Sequence, residues 1–136
     1  MKPLISDPTD HSPKIVLDPD QDRFEISGIS RPEDVREFYY PVLDWIKEFC
    51  SNAVEKKTYR YDETHPVVFK ILLTYFNSSS AKFLYDILEA FNHLSKKGVA
   101  VRIEWFYDKE DTDMLEAGQE MAEMVEMPFE FVVRNP

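Results

Sequence analysis

Residues Val67 to Phe91 read VVFKILLTYFNSSSAKFLYDILEAF, and no other stretch of the chain limits the possible folds as tightly. Its first part, Val67–Phe76, is rich in β-branched and aromatic side chains. Alternation puts Val67, Phe69, Ile71, Leu73 and Tyr75 on one face. Val68, Leu72 and Phe76 take the other, with Lys70 and Thr74 among them. Two largely apolar faces predict a central strand of a parallel sheet covered by helices. After Asn77-Ser78-Ser79-Ser80 the spacing changes. Leu84, Ile87, Leu88 and Phe91 follow the i, i+3, i+4, i+7 pattern of one helix face. The serines therefore mark the seam where a strand ends and a helix begins. In open α/β sheets that is the end at which ligands and partners bind, and short hydroxyl side chains there also suit a helix cap.

The remaining segments build an α/β domain around this unit. Residues 1–13 carry Pro3, Pro8 and Pro13 among polar neighbours and read as a flexible lead-in, leaving 14–136 as a single domain. Lys14–Asp18 and Arg23–Ser27 alternate and are separated by Asp18-Pro19-Asp20-Gln21-Asp22, which predicts an antiparallel hairpin. Ser30 with Glu33 fits a capping box for a first helix, whose apolar face is Val35, Phe38, Tyr39, Val42, Ile46 and Phe49; Pro41 should kink or divide it. Asn52 to His65 reads mostly as loop. Lys96, Lys97 and Gly98 end the second helix. Val99–Asp108 alternates as a strand, with Val101, Ile103, Trp105 and Tyr107 on one side. A third helix follows, with Asp113 and Glu116 resembling a capping box, and Phe129, Phe131 and Val133 form a last strand. The predicted order is β-β-α-β-α-β-α-β, an antiparallel start followed by right-handed parallel crossovers.

Composition narrows the function. The formal net charge of -10 argues against nucleic acid and against anionic membranes, since both are recognised by neutralising phosphate with Lys and Arg. It favours a partner with a basic face. No apolar run approaches the roughly 20 residues that cross a bilayer, and the N-terminus lacks a signal peptide's apolar core, so a cytoplasmic location is expected. Cys50 is the single cysteine, which excludes an internal disulfide and a thiolate metal cluster. The three histidines, His11, His65 and His93, have no metal-ligand spacing. With three glycines and no P-loop or nucleotide fingerprint, the chain has no phosphate cradle, and no cofactor is expected. Gly118 falls inside the third helix, where glycine costs about 1 kcal/mol relative to alanine, and predicts close packing against a strand or a partner.

Two stretches carry candidate chemistry. The serine turn is either a plain helix cap or a phosphorylation site. A phosphoserine there adds charge that the helix N-terminus tolerates, so the surface changes while the fold survives. The acidic run Asp108-Lys109-Glu110-Asp111-Thr112-Asp113 is either a solvated helix start or a site for Mg²⁺ or Ca²⁺. Lys109 interrupts it and it lacks the central glycine of a calcium loop, which favours the helix start. Asp108, Asp111 and Asp113 then read as an acidic partner-binding rim beside the serines.

Three segments together resemble the SiaC family of bacterial regulatory phosphoproteins. They are Gly28-Ile29-Ser30-Arg31-Pro32-Glu33 with Phe38-Tyr39 and Trp45; Tyr75-Phe76-Asn77-Ser78-Ser79-Ser80-Ala81-Lys82; and Trp105-Phe106-Tyr107-Asp108 with Asp111, Asp113, Met114, Glu116, Ala117 and Gly118. The resemblance covers nearly the whole chain after the lead-in. It implies a STAS-like mixed sheet and a non-enzymatic partner switch. A dedicated Ser/Thr kinase phosphorylates the strand–helix turn, a PP2C-type phosphatase reverses this, and the unphosphorylated form binds and activates a diguanylate cyclase. Cyclic di-GMP output and biofilm formation follow. The family's acceptor is the threonine of Asn-Thr-Ser-Ser; Ser78 takes that place here, with Ser79 and Ser80 as fallbacks. Asn77, Ser79, Ser80 and Lys82 are assigned to partner binding. The same switch acting on an anti-sigma factor or another regulator, and a metal-assisted enzyme using residues 108–116, are the competing readings.

Overall fold

A computed structural model of the chain describes residues 1–56 and 59–135. The strands are β1 (Leu4–Ser6), β2 (Lys14–Asp18), β3 (Arg23–Ser30), β4 (Val67–Phe76), β5 (Val101–Asp108) and β6 (Glu130–Arg134). The helices are α1 (Val35–Ser51), α2 (Ser78–Lys96) and α3 (Thr112–Val125), and a π-helical turn, Asn52–Lys56, prolongs α1. Among the described residues, the six strands form one sheet in sequential order. β1, β2 and β3 are antiparallel, and β3 through β6 are parallel. The mixed sheet and the hairpin start agree with the sequence reading.

The additional strand is β1. It lies in the segment read as a lead-in and pairs Leu4 with Leu17 and Ser6 with Ile15. Three residues between prolines are too few for alternation to register. Lys2 is tied down as well, its carbonyl accepting from Trp45 Nε1 at 2.8 Å. Of the segment read as loop, residues 57 and 58 lie outside the described residues, as does residue 136 of the predicted domain. Tyr59 and Tyr61 do not extend β4 but pack against Phe49, Tyr59 with its ring tilted and Tyr61 in a T-shaped arrangement.

Among the described residues, the helices cover one face of the sheet only, which corrects the expectation of a strand buried on both sides. Phe24, Phe69 and Ile103 are in register across β3, β4 and β5, as are Ile26, Ile71 and Trp105. These rows meet all three helices: Phe24 packs on Phe49 of α1, Phe69 stacks on Phe91 of α2, and Trp105 touches Gly118 of α3. The intervening row, Glu25, Lys70 and Glu104, faces away. Sequential strand order explains this, because right-handed crossovers that always step the same way place every helix on the same side. Val68 and Leu72 are accordingly half-buried rather than cored.

The end of β4 also departs from simple alternation. Gly28 pairs with Leu73, but Ile29 pairs with Tyr75, so Thr74 is left over as a bulge. The bulge reverses the faces beyond it. Tyr75, expected inward, is 48% exposed, while Phe76 turns in to meet Trp105 edge-on. This brings the last residue of β3, Ser30, alongside Phe76 and the serine turn.

The caps of α1 and α3 sit elsewhere than predicted. Asp34, not Ser30, caps α1, accepting from the Glu37 N–H at 3.1 Å. Ser30–Glu33 and Asp34–Glu37 both match the box, and Ser30 is withheld because it continues β3. Asp111, not Asp113, caps α3, accepting from the Met114 N–H at 3.0 Å. Helix α1 runs through Pro41 undivided.

Candidate functional site

The serine turn follows β4 directly, at the carboxyl end of the parallel strands. Asn77 has extended backbone, and its side-chain oxygen accepts from the Ser80 N–H at 2.9 Å. It is the N-cap of α2. Its own N–H donates to the Ser30 carbonyl at 3.1 Å. Ser78, Ser79 and Ser80 therefore occupy the first three helical positions, where backbone N–H groups lack intrahelical acceptors and the helix dipole favours negative charge.

The three serines have different surroundings. Ser78 and Ser79 are exposed. Ser80 is fully buried, and its hydroxyl donates to the Ser30 carbonyl at 3.1 Å while accepting from the Ser30 hydroxyl at 2.8 Å. The Ser30 hydroxyl is in turn hydrogen-bonded to the Tyr39 phenol. Burial pushes the Tyr39 phenol up to about 12, against the opposing effect of the Ser30 and Ser80 hydrogen bonds. It thus stays a neutral donor near neutral pH. As a fallback acceptor Ser80 is closed off in the folded protein; its place is structural. The sequence offered no pointer to Ser30 and Tyr39 as its partners, since three hydroxyls so far apart in the chain meet only after β3, α1 and α2 assemble.

Lys82 lies one turn further along α2. Its ammonium is 3.4 Å from Asp86 and 5.2 Å from the centre of the Phe83 ring, and the side chain is exposed. The acidic residues predicted as a rim follow the neighbouring strand and so share the sheet end with the serines. Each has a local task or none. Asp108 accepts from Asn135 at 3.2 Å and faces Arg134 at 3.8 Å; Asp111 is the cap of α3; Asp113 is exposed in its first turn. Among the described residues, no three His, Cys, Asp or Glu side chains converge as a metal site needs. Also among the described residues, no helix is long and apolar enough to cross a membrane.

What this arrangement can do is present an unhindered hydroxyl at the positive end of a helix whose cap and anchor come from other side chains. The Ser78 side chain takes no part in the Asn77 cap or in the Ser80–Ser30–Tyr39 network.

Residues 6–134 match the sequence profile of the family described as SiaC family regulatory phosphoprotein. An uncharacterized protein of Pseudomonas aeruginosa strain UCBPP-PA14 is 29% identical over 121 residues, covering 89% of this chain and 88% of that protein. The solved structure of SiaC of Pseudomonas aeruginosa superimposes with a TM-score of 0.77 at 27% identity, covering 98% of both chains. A structure of the diguanylate cyclase SiaD in complex with its activator SiaC, also from Pseudomonas aeruginosa, matches with a TM-score of 0.81 at 27% identity, covering 96% of this chain and 99% of that one.

Proposed function

The chain belongs to the SiaC family, and from that premise we propose that it is a non-enzymatic signalling switch acting on a diguanylate cyclase. In its unphosphorylated form it binds and activates the cyclase. Phosphorylation of Ser78 by a Ser/Thr kinase ends the interaction, and a PP2C-type phosphatase restores it. The reading is supported by the regulatory-phosphoprotein description of the family and by the relative found in complex with a diguanylate cyclase as its activator.

The observation that carries it is the exposed Ser78 hydroxyl at the first position of α2, with Asn77 already supplying the cap. A phosphoserine adds roughly -1.5 to -2 charges and three acceptor oxygens. The helix N-terminus accommodates that charge, so modification alters the docking surface while the scaffold persists. Ser79 is the second exposed hydroxyl of the turn and the secondary acceptor.

Two measurements test this. Mass spectrometry of the protein from its native host should place phosphate on Ser78. In pull-down with the diguanylate cyclase of the same host, Ser78→Ala should bind and Ser78→Asp should not. Equal binding by both variants would overturn the role of this site. Binding of an anti-sigma factor with no cyclase captured would redirect the switch to another target.

A further inference from the structure

Helices α2 and α3 leave between them an open groove of about 380 Å³. Its walls are Phe76 at the end of β4, Ala81 and Tyr85 of α2, and Ala117, Met121 and Met124 of α3. Met124 is 62% exposed at the lip. Methionine there is flexible and polarisable, suited to shaping itself around an apolar partner.

Two charged residues line the groove, Lys82 and Glu120, and among the described residues only Lys82 has an ion-pair partner, Asp86. Glu120 belongs to a stripe with Asp113, Glu116 and Glu123, whose three- and four-residue spacings place all of them on one side of α3, next to Ala117 and Met124. All four carboxylates are exposed, and α3 contains neither lysine nor arginine. Among the described residues, no ion pair engages any of the four. On the opposite wall, Ser78, Lys82 and Tyr85 follow an i, i+4, i+7 spacing, so the exposed Ser78 hydroxyl stands at the head of that wall.

We infer that this groove receives an apolar segment flanked by Lys or Arg, supplied by the cyclase; the inference rests on the function proposed above. Apolar side chains of the segment fill the strip between Tyr85 and Met124, and its cations pair with Glu116, Glu120 and Glu123. Charge complementarity selects this occupant over a second copy of the chain, which carries a net charge of -10 and would bring acidic surface to an acidic wall. The geometry also explains how Ser78 controls docking. A phosphate on Ser78 adds roughly -1.5 to -2 charges one helical turn from Ala81 of the groove, and seating apolar side chains there strips its water. Lys82, one turn away on the same face, is drawn toward the phosphate and away from Asp86.

The test is calorimetric titration of the full chain with the purified diguanylate cyclase of the same host, at low and high ionic strength. Met124→Glu and the double variant Glu120→Lys with Glu123→Lys should each weaken binding by about tenfold or more. Added salt should weaken the unaltered chain but not the double variant. Ile5→Glu, at an exposed site on β1, should bind as the unaltered chain does, and circular dichroism should show every variant folded. If the unaltered chain binds and the groove variants bind equally well, the groove assignment is overturned while the regulatory function stands. If the unaltered chain does not bind the cyclase, both fall. A dimer of the unaltered chain that Met124→Glu splits would name a second copy as the occupant and overturn the inference.

Discussion

The Ser80 hydroxyl lies 2.8 Å from the Ser30 hydroxyl and 3.1 Å from the Ser30 carbonyl oxygen, fastening the first turn of α2 to the last residue of β3. Ser30 donates to Ser80 and Ser80 donates back to the Ser30 carbonyl, so the Ser30 hydroxyl hydrogen is already used and the Tyr39 phenol is left as the donor of its bond to Ser30. Every member is buried, so removing one leaves a neighbouring hydroxyl one hydrogen bond short. Ser80→Ala should therefore cost about 1–3 kcal/mol, and Tyr39→Phe about 1 kcal/mol because it removes only the outermost donor. In urea the midpoint should fall with the slope unchanged. The double variant should lose less than the two losses combined, since both act on one network. Strict additivity would show that the three hydroxyls do not act together.

Gly118 presses against the indole of Trp105, and a Cβ there would stand 2.6 Å from Nε1 and 2.7 Å from Cδ1 and Cε2. The indole has no freedom to retreat. Its Nε1 donates to the Met114 carbonyl at 3.0 Å, its face stacks on Phe129, and it is wholly buried. Alanine would gain about 1 kcal/mol of helix propensity, but overpacking typically costs about 1–3 kcal/mol and more where nothing can shift. Gly118→Ala should be destabilising on balance, with a blue-shifted or broadened Trp105 signal in near-ultraviolet circular dichroism. A stabilised Gly118→Ala would mean that α3 slides freely over β5.

Gly118 and the seam at Asn77 were both readable from the chain because each is a local exception. A glycine inside a helix requires a close neighbour, and a β-rich run broken by Asn-Ser-Ser-Ser requires a turn. Other features depend on comparison between distant segments. Ser30 and Asp34 offer equivalent caps, and only the pairing of Ser30 with Phe76 decides between them. The alternation of Val67–Phe76 gave its inward row correctly up to Leu73, then failed at Thr74, because a bulge is defined by the partner strand. The open face of the sheet was invisible for a similar reason: Val68 and Leu72 are apolar enough for a covered strand, and only sequential strand order leaves them uncovered. In the candidate site, sequence separated neither the exposed Ser78 and Ser79 from the buried Ser80 nor the capping Asp111 from Asp113.

At the head of α2, charge should stabilise rather than disrupt. Ser78 occupies the first helical position after the Asn77 cap, where an anion is worth about 0.3–1 kcal/mol through the helix dipole. Ser78→Asp should raise the unfolding midpoint slightly, and Ser78→Lys should lower it by a similar amount, with both effects shrinking in salt. Asn77→Ala, by contrast, removes the acceptor of the Ser80 N–H and should cost about 1 kcal/mol. A large loss of stability in Ser78→Asp would mean that any effect on binding arises from unfolding.

The hairpin that carries β2 and β3 has a pH-sensitive tie to the segment before β4. His65 Nε2 lies 2.7 Å from Asp22 Oδ2. That hydrogen bond, reinforced by the Asp22 charge, lifts the imidazole above its ordinary value of 6.5, with burial opposing only weakly. The folded protein thus binds this proton more tightly than the unfolded chain. Its contribution is fully present below the ordinary value and is lost as pH rises through the raised one. Both side chains are well exposed, at 56% and 46%, so the contribution is small and screened by salt. Asparagine is a suitable probe at position 22, where the backbone has φ of 55° and Asp or Asn is tolerated. Nuclear magnetic resonance titration should place His65 above 6.5 in the unaltered protein and lower in Asp22→Asn. The unaltered protein should lose its stability advantage over Asp22→Asn as pH rises through the His65 titration. A His65 value unmoved by the substitution would show that the pair does not hold in solution.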